Sequence, residues 1–201
     1  MLDTHLRAIV DPLLERIARG LVSTGISADA VTIAGCALGL AGALLIACGM
    51  PLAGLLAFLA GRILDGLDGT LARRTQPTDR GGFLDIVCDF LVYAAIPLAF
   101  AFADPIHNAL AAAVLLASFL ANGAAFLAYA LMAERRKSGA MMAGNKSFHF
   151  LAGLAEGTET IIAFSAFCLF PAAFPRLALI FAGVCIISAA ARIVLGWRML
   201  R

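Results

Sequence analysis

The sequence predicts an all-α integral membrane protein: an N-terminal amphipathic interfacial helix followed by a six-transmembrane-helix bundle, with both termini cytoplasmic. Three observations lead there. Of the 201 residues, 62% are hydrophobic and 14% charged, with a mean hydropathy of +0.96, whereas soluble domains run near ~45–50% apolar and ~25% charged. The apolar residues fall into long runs, each near the roughly 20 residues that a bilayer-crossing helix needs. Lys and Arg gather in alternate connections, as cytoplasmic loops require. A net charge of +2, spread along the chain, gives no basis for nucleic-acid binding.

Residues 1–27 form the first expected unit. They lack the continuous apolar stretch of an export signal and contain Asp3, Asp11, Glu15 and three arginines. Leu6, Ile9, Val10, Leu13, Leu14, Ile17 and Leu21 recur at three- and four-residue steps, opposite Arg7, Asp11, Glu15 and Arg19. The pattern is that of a helix lying on the membrane surface; a soluble helix packed on a partner is the competing reading.

Residues 28–201 form the second unit, the expected six-helix transmembrane domain. No charge occurs from Ala30 to Gly61, and Gly49-Met50-Pro51 divides that run into one crossing and the start of a second. A third is expected from about Gly82 to Ala103, ended by Asp104-Pro105, and a fourth from His107 to Ala133, ended by Glu134-Arg135-Arg136-Lys137. Ser147 to Phe170 and Leu177 to Arg198 complete the six, separated by Pro171 and Pro175. Arg73, Arg74, Arg80, Arg135, Arg136, Lys137 and Lys146 then share one side with the termini, and the opposite connections offer only Arg176. Gly35/Gly39 and Gly153/Gly157 suit close helix contact. The five cysteines have no CxxC spacing and read as small apolar side chains.

The chemistry concentrates between Arg62 and Asp89. Asp65 and Asp68 are three apart and share a helix face with Gly69 and Ala72, while Asp85 and Asp89 are four apart on the next helix. An isolated acid at the middle of a bilayer helix costs about 2.5–3.5 kcal/mol on insertion scales, so four together need neutralising. Arg62 and Arg73 can pair with two of them; alternatively, two Mg²⁺ ions balance four negative charges, and paired metals clamp phosphoryl oxygens. Gly69, Ala72 and Gly81 leave the adjoining surface without bulk, and Arg73 offers a guanidinium suited to phosphate.

The run Asp65-x2-Asp68-Gly69-x2-Ala72-Arg73-x7-Gly81-x3-Asp85-x3-Asp89 resembles the signature of the CDP-alcohol phosphotransferases (CDP-alcohol phosphatidyltransferases), membrane enzymes of phospholipid synthesis. All eight specified positions are filled. The resemblance implies that Asp65, Asp68, Asp85 and Asp89 hold two divalent cations, Mg²⁺ or Mn²⁺, with Asp89 also the general base. It implies that Gly69, Ala72, Arg73 and Gly81 accommodate the CDP part of the donor. Thr78, in the loop before Gly81, is a candidate phosphate contact, with a plain loop threonine as the competing reading. Ala28-Asp29-Ala30-Val31-Thr32 is similar to the family's Pro-Asn-x-x-Thr at the start of the first crossing, which places Asp29 and Thr32 beside the nucleotide. Here Ala28 replaces Pro and Asp29 replaces Asn, and a negative charge beside a diphosphate is unfavourable unless a metal or an arginine faces it.

The implied reaction is attack by an acceptor hydroxyl on the lipid-linked phosphate of CDP-diacylglycerol, releasing CMP, at the cytoplasmic side of a bacterial inner membrane. A homodimer is implied by resemblance alone. Glycerol 3-phosphate or another polar head group is the expected acceptor, with Arg135, Arg136, Lys146, Glu156 and Glu159 as candidate contacts; the positive-inside rule and structural ion pairing compete as reasons for those charges. Two other classes use comparable acids. A cation or proton transporter would show broken helices or related halves, and an intramembrane prenyltransferase lacks the Gly-x2-Ala-Arg portion.

Overall fold

The structure, a computed structural model, describes residues 12, 14–22, 24–135 and 157–199. All the described regular elements are helical: α1 (residues 14–22), α2 (Ala28–Ala47), α3 (Pro51–Arg74), α4 (Asp79–Ala103), α5 (Pro105–Arg135), α6 (Gly157–Leu169) and α7 (Phe174–Met199), with a 3₁₀ turn at Pro171–Ala173.

The helix ends follow from local chemistry. Ser27 caps α2 by accepting the Ala30 N–H at 3.2 Å, and Thr78 caps α4 by accepting the Gly81 N–H at 3.0 Å. Gly49 adopts φ +79°, a conformation that disfavours a side chain, and Pro51 starts α3. α2 and α3 thereby fold back as an antiparallel hairpin. Their backbones meet along a glycine seam: a Cβ on Gly42 would lie 2.7 Å from the Gly54 carbonyl oxygen, and one on Gly61 would lie 2.7 Å from that of Gly35.

α2 packs on α3 and α4, α5 packs mainly on α7, and α6 bridges α3 and α7. At the centre Phe58, Phe164, Phe167 and Phe174 are fully buried; Phe100 stacks on Phe174 with ring centroids 4.4 Å apart. Large apolar side chains such as Leu56, Ile106, Leu110 and Ile180 face outward, as a lipid solvent requires. Cys36, Cys88, Cys168 and Cys185 are buried and Cys48 is exposed; all five are free thiols.

The six-crossing expectation is corrected. Among the described residues four helices are long and apolar enough to cross a membrane: Ala28–Ala47, Asp79–Ala103, Pro105–Met132 and Pro171–Arg198. The span expected after Pro51 fails on charge, because the last part of α3 carries Arg62, Asp65, Asp68, Arg73 and Arg74. The span expected from Ser147 to Phe170 begins outside the described residues, and no full crossing is described there. Its described part, α6, has 13 residues, about 20 Å at ~1.5 Å per residue, against a hydrocarbon core of ~30 Å.

α1 also differs from a purely lipid-facing helix. Leu14 and Ala18 are buried in a small cluster with Val31, Leu67 and Leu71, and Glu15 pairs with Arg74 at 2.6 Å. Ile17 is exposed, whereas Leu6, Ile9, Val10 and Leu13 lie outside the described residues. The helix is therefore docked on the charged end of the α2–α3 hairpin.

Candidate active site

The last turns of α3 and the first turns of α4 converge at the end of the bundle where α1 lies. Asp65, Asp68 and Asp85 each place a carboxylate oxygen within 4.8 Å of the others. Asp68 is buried, and its Oδ2 has no hydrogen-bond partner among the described residues. Burying a carboxylate oxygen without a donor is costly. Three converging carboxylates, one of them with an orphaned oxygen, fit a divalent cation.

Asp89 lies on the same face of α4 as Asp85, but an arginine engages it. The Arg62 Nη1–H donates to Asp89 Oδ1 in a close ion pair and stands 3.5 Å from Asp65 Oδ2. The arginine side chain is only 7% exposed. Its guanidinium carbon lies 5.9 Å from the Phe58 ring centroid and 5.5 Å from that of Tyr93. Arg62 thus occupies the centre of the bundle just behind the acids.

The residues expected around the nucleotide border the same group. Arg73 donates to Thr70 Oγ1 at 3.1 Å, and its own Nη1 would lie 3.5 Å from a Cβ placed on Gly69. A Cβ on Gly81 would meet Thr78 Oγ1 at 3.2 Å and Asp29 Oδ1 at 3.3 Å, so the bare glycine keeps that surface open. Ala72 is half-buried one turn beyond Asp68. Thr32 is buried beside Asp68, and its hydroxyl donates to the Ala28 carbonyl at 3.1 Å. Asp29 meets an arginine, as its chemistry demanded: Arg80 donates to Asp29 Oδ2 in a close ion pair.

The acceptor candidates are less fully described. Glu159 is half-buried in the first turn of α6, and its Oε2 is buried without a hydrogen-bond partner among the described residues. Arg136, Lys146 and Glu156, together with the side chain of Arg135, lie outside the described residues. A cavity of about 380 Å³ between α5 and α7, lined by Tyr129, Met132, Arg192 and Trp197 among others, does not include the acids.

Sequence reasoning named Arg62 only as a possible charge partner and missed Tyr93 and Arg80. Tyr93 had a signal, because it stands four residues after Asp89 on the same helix face. Arg80 had one in the otherwise uncompensated charge of Asp29.

Carboxylates, an arginine and bare glycines gathered at one end of a helical membrane bundle make a site fitted to a divalent cation and a phosphate. The protein's family follows from comparison: the sequence profile of the CDP-alcohol phosphatidyltransferases matches residues 25–197, and the chain belongs to that family. It is 45% identical over 201 residues to the inner membrane protein YnjF of Escherichia coli (strain K12), covering 100% of this chain and 98% of that one. Its fold is similar to the phosphatidylinositol phosphate synthase PgsA1 of Mycobacterium tuberculosis with CDP-DAG bound (TM-score 0.73, 24% identity, 92% of this chain and 94% of that chain). PgsA1 in complex with manganese and citrate is similar too (TM-score 0.68, 22% identity, 92% and 88%). The protein is a phosphotransferase of phospholipid synthesis whose clustered acids fit a divalent cation, and the transporter and prenyltransferase alternatives fall away.

Proposed function

We propose that the enzyme transfers the phosphatidyl group of CDP-diacylglycerol to a polar acceptor alcohol and releases CMP. The observation that carries this reading is the convergence of Asp65, Asp68 and Asp85 beside Arg73 and Gly81. The fold shared with a synthase whose structure holds CDP-DAG supports the donor.

In this reading Asp65, Asp68 and Asp85, joined by Asp89, hold two divalent cations, with Mg²⁺ the physiological choice and Mn²⁺ a substitute. When bound, such ions polarise the phosphate and stabilise charge on the leaving group. The remaining work belongs to the chain. Arg73 binds a phosphate through its planar fork. Gly69, Ala72 and Gly81 admit the nucleotide, bordered by Thr32 and Thr78, while Asp29 stays neutralised by Arg80. Asp89 takes the proton from the acceptor hydroxyl as its oxygen attacks phosphorus and the bond to CMP breaks. A carboxylate is a weak base, so positioning supplies much of the help. A single displacement accounts for these roles.

Glycerol 3-phosphate is the first acceptor to test. Glu159 offers an acceptor-side hydrogen-bond group, and Arg135, Arg136, Lys146 and Glu156 in the stretch before it supply charge. The Arg-rich end of the bundle, with Arg73, Arg74 and Arg80 beside the acids, supports a cytoplasmic active site. The name of the Escherichia coli relative supports a bacterial inner membrane. We assign residues 28–201 to catalysis, residues 1–27 to a juxtamembrane helix, and a homodimer to the assembly.

The test is CMP release by purified protein from CDP-diacylglycerol with Mg²⁺, across glycerol 3-phosphate, serine, inositol phosphate and phosphatidylglycerol, with D89N as control. One acceptor should support Mg²⁺-dependent release that D89N abolishes. Release unaffected by D89N, or none with any acceptor, overturns the reading.

A further inference from the structure

Asp89 is held, not free. Arg62 Nη1–H donates to its Oδ1, and the same nitrogen stands 3.5 Å from Asp65 Oδ2, so one guanidinium spans an acid of α4 and an acid of α3. The guanidinium plane is steadied by Phe58 and Tyr93, with its carbon 5.9 and 5.5 Å from their ring centroids. A buried arginine this constrained cannot follow its partner, so the partner is fixed by it.

We infer that Arg62 is a positioning residue for the transfer reaction: it clamps Asp89 by Oδ1, leaves Oδ2 for the acceptor proton, and offsets part of the cluster's negative charge. The inference rests on the reading of Asp89 as the base. It has an unusual consequence, because the two effects of Arg62 on the site are opposed. Its positive charge beside Asp65 and Asp89 weakens cation binding, whereas its grip on Asp89 promotes turnover. Removing the guanidinium should therefore tighten metal binding and slow catalysis together. A residue needed only for packing would lower both.

The experiment uses full-length R62M and R62K. CMP release gives kcat and KM for CDP-diacylglycerol, and titration followed by electron paramagnetic resonance gives Mn²⁺ affinity without turnover. In R62M, kcat should fall about 30-fold or more, KM should stay within about threefold, and Mn²⁺ should bind about three- to tenfold more tightly. R62K keeps the charge but lacks the planar guanidinium that packs near both rings, so its kcat should be intermediate and its Mn²⁺ affinity unchanged. Wild-type kcat in either variant, or parallel loss of kcat and Mn²⁺ affinity, overturns the inference. If R62M does not fold, R62K alone decides by the same kcat criterion. D89N separates the two levels: an active D89N removes the base reading itself, whereas an inactive D89N beside an unimpaired R62K removes only the role of Arg62.

Discussion

Arg80, at the start of α4, reaches across to Asp29, at the start of α2, and neutralises the one acid that departs from the family's pattern at the proposed nucleotide site. The pair is asymmetric: the Arg80 side chain is 83% exposed and that of Asp29 only 19%. Its intrinsic stability contribution is accordingly small, roughly 0.2–1 kcal/mol. Its importance is local, because Asp29 Oδ1 borders the open surface at Gly81. R80Q should therefore raise KM for CDP-diacylglycerol about two- to fivefold by exposing a diphosphate to an unpaired carboxylate. D29N alone should remain near wild type, and D29N/R80Q should return toward it. The double-mutant cycle checks this, and strictly additive effects would show that the two charges act independently.

Asp68 should trade function against apo stability. Its carboxylate lies within 4.8 Å of two other acids and has an orphaned Oδ2, so without metal it is a liability that an amide would relieve by donating to Asp65 or Asp85. D68N should lower turnover by at least about a thousandfold, roughly 4 kcal/mol in the barrier. In EDTA its thermal midpoint should equal or exceed that of the wild type. Added Mn²⁺ should raise the wild-type midpoint and leave D68N nearly unmoved. Thermal unfolding of the detergent-solubilised protein with and without metal measures both.

How much of this was legible beforehand depends on whether the determinant was local. The spacing of Asp65, Asp68, Asp85 and Asp89 on two consecutive helices brought three of the four expected acids together, with Asp89 on Arg62, because helix periodicity and a short connection leave little freedom. Turn signals at Gly49 and Asp104 fell where α2 and α4 end. The span count misled, because counting apolar runs treated α3 as a crossing despite five charges near its end. Arg62 and Arg80 find their acids across 27 and 51 residues of sequence, distances over which periodicity carries no information.

The glycine seam between α2 and α3 gives a stability prediction with an internal control. A Cβ at position 61 would strike the Gly35 carbonyl oxygen, which cannot rotate aside. G61A should push the hairpin apart and destabilise it by about 1–3 kcal/mol. Gly183 in α7 has nothing within 4 Å of its Cβ position, so G183A should be neutral or gain up to ~1 kcal/mol of helix propensity. Comparing the two midpoints separates close approach from a general aversion to replacing glycine.

The connection between α4 and α5 should carry a pH-dependent share of stability. Asp104 accepts the His107 N–H at 3.3 Å and meets His107 Nδ1 at 2.8 Å, and these contacts hold its carboxyl below the usual carboxylate range. A carboxyl whose folded pKa is depressed stabilises the fold above its unfolded value, about 3.9, and that contribution disappears as pH falls through the folded value. D104N keeps the shape and loses the charge. It should therefore unfold at a lower temperature than wild type at pH 7, with the gap closing on acidification below about pH 4 as the wild-type carboxyl becomes neutral. The Asp104 carbonyl still accepts from Asn108, and Asn108 Nδ2 still donates to the Phe100 carbonyl at 2.9 Å, so the turn itself should survive the substitution. A gap that persisted unchanged at pH 3 would mean the side chain acts there through shape and not through charge.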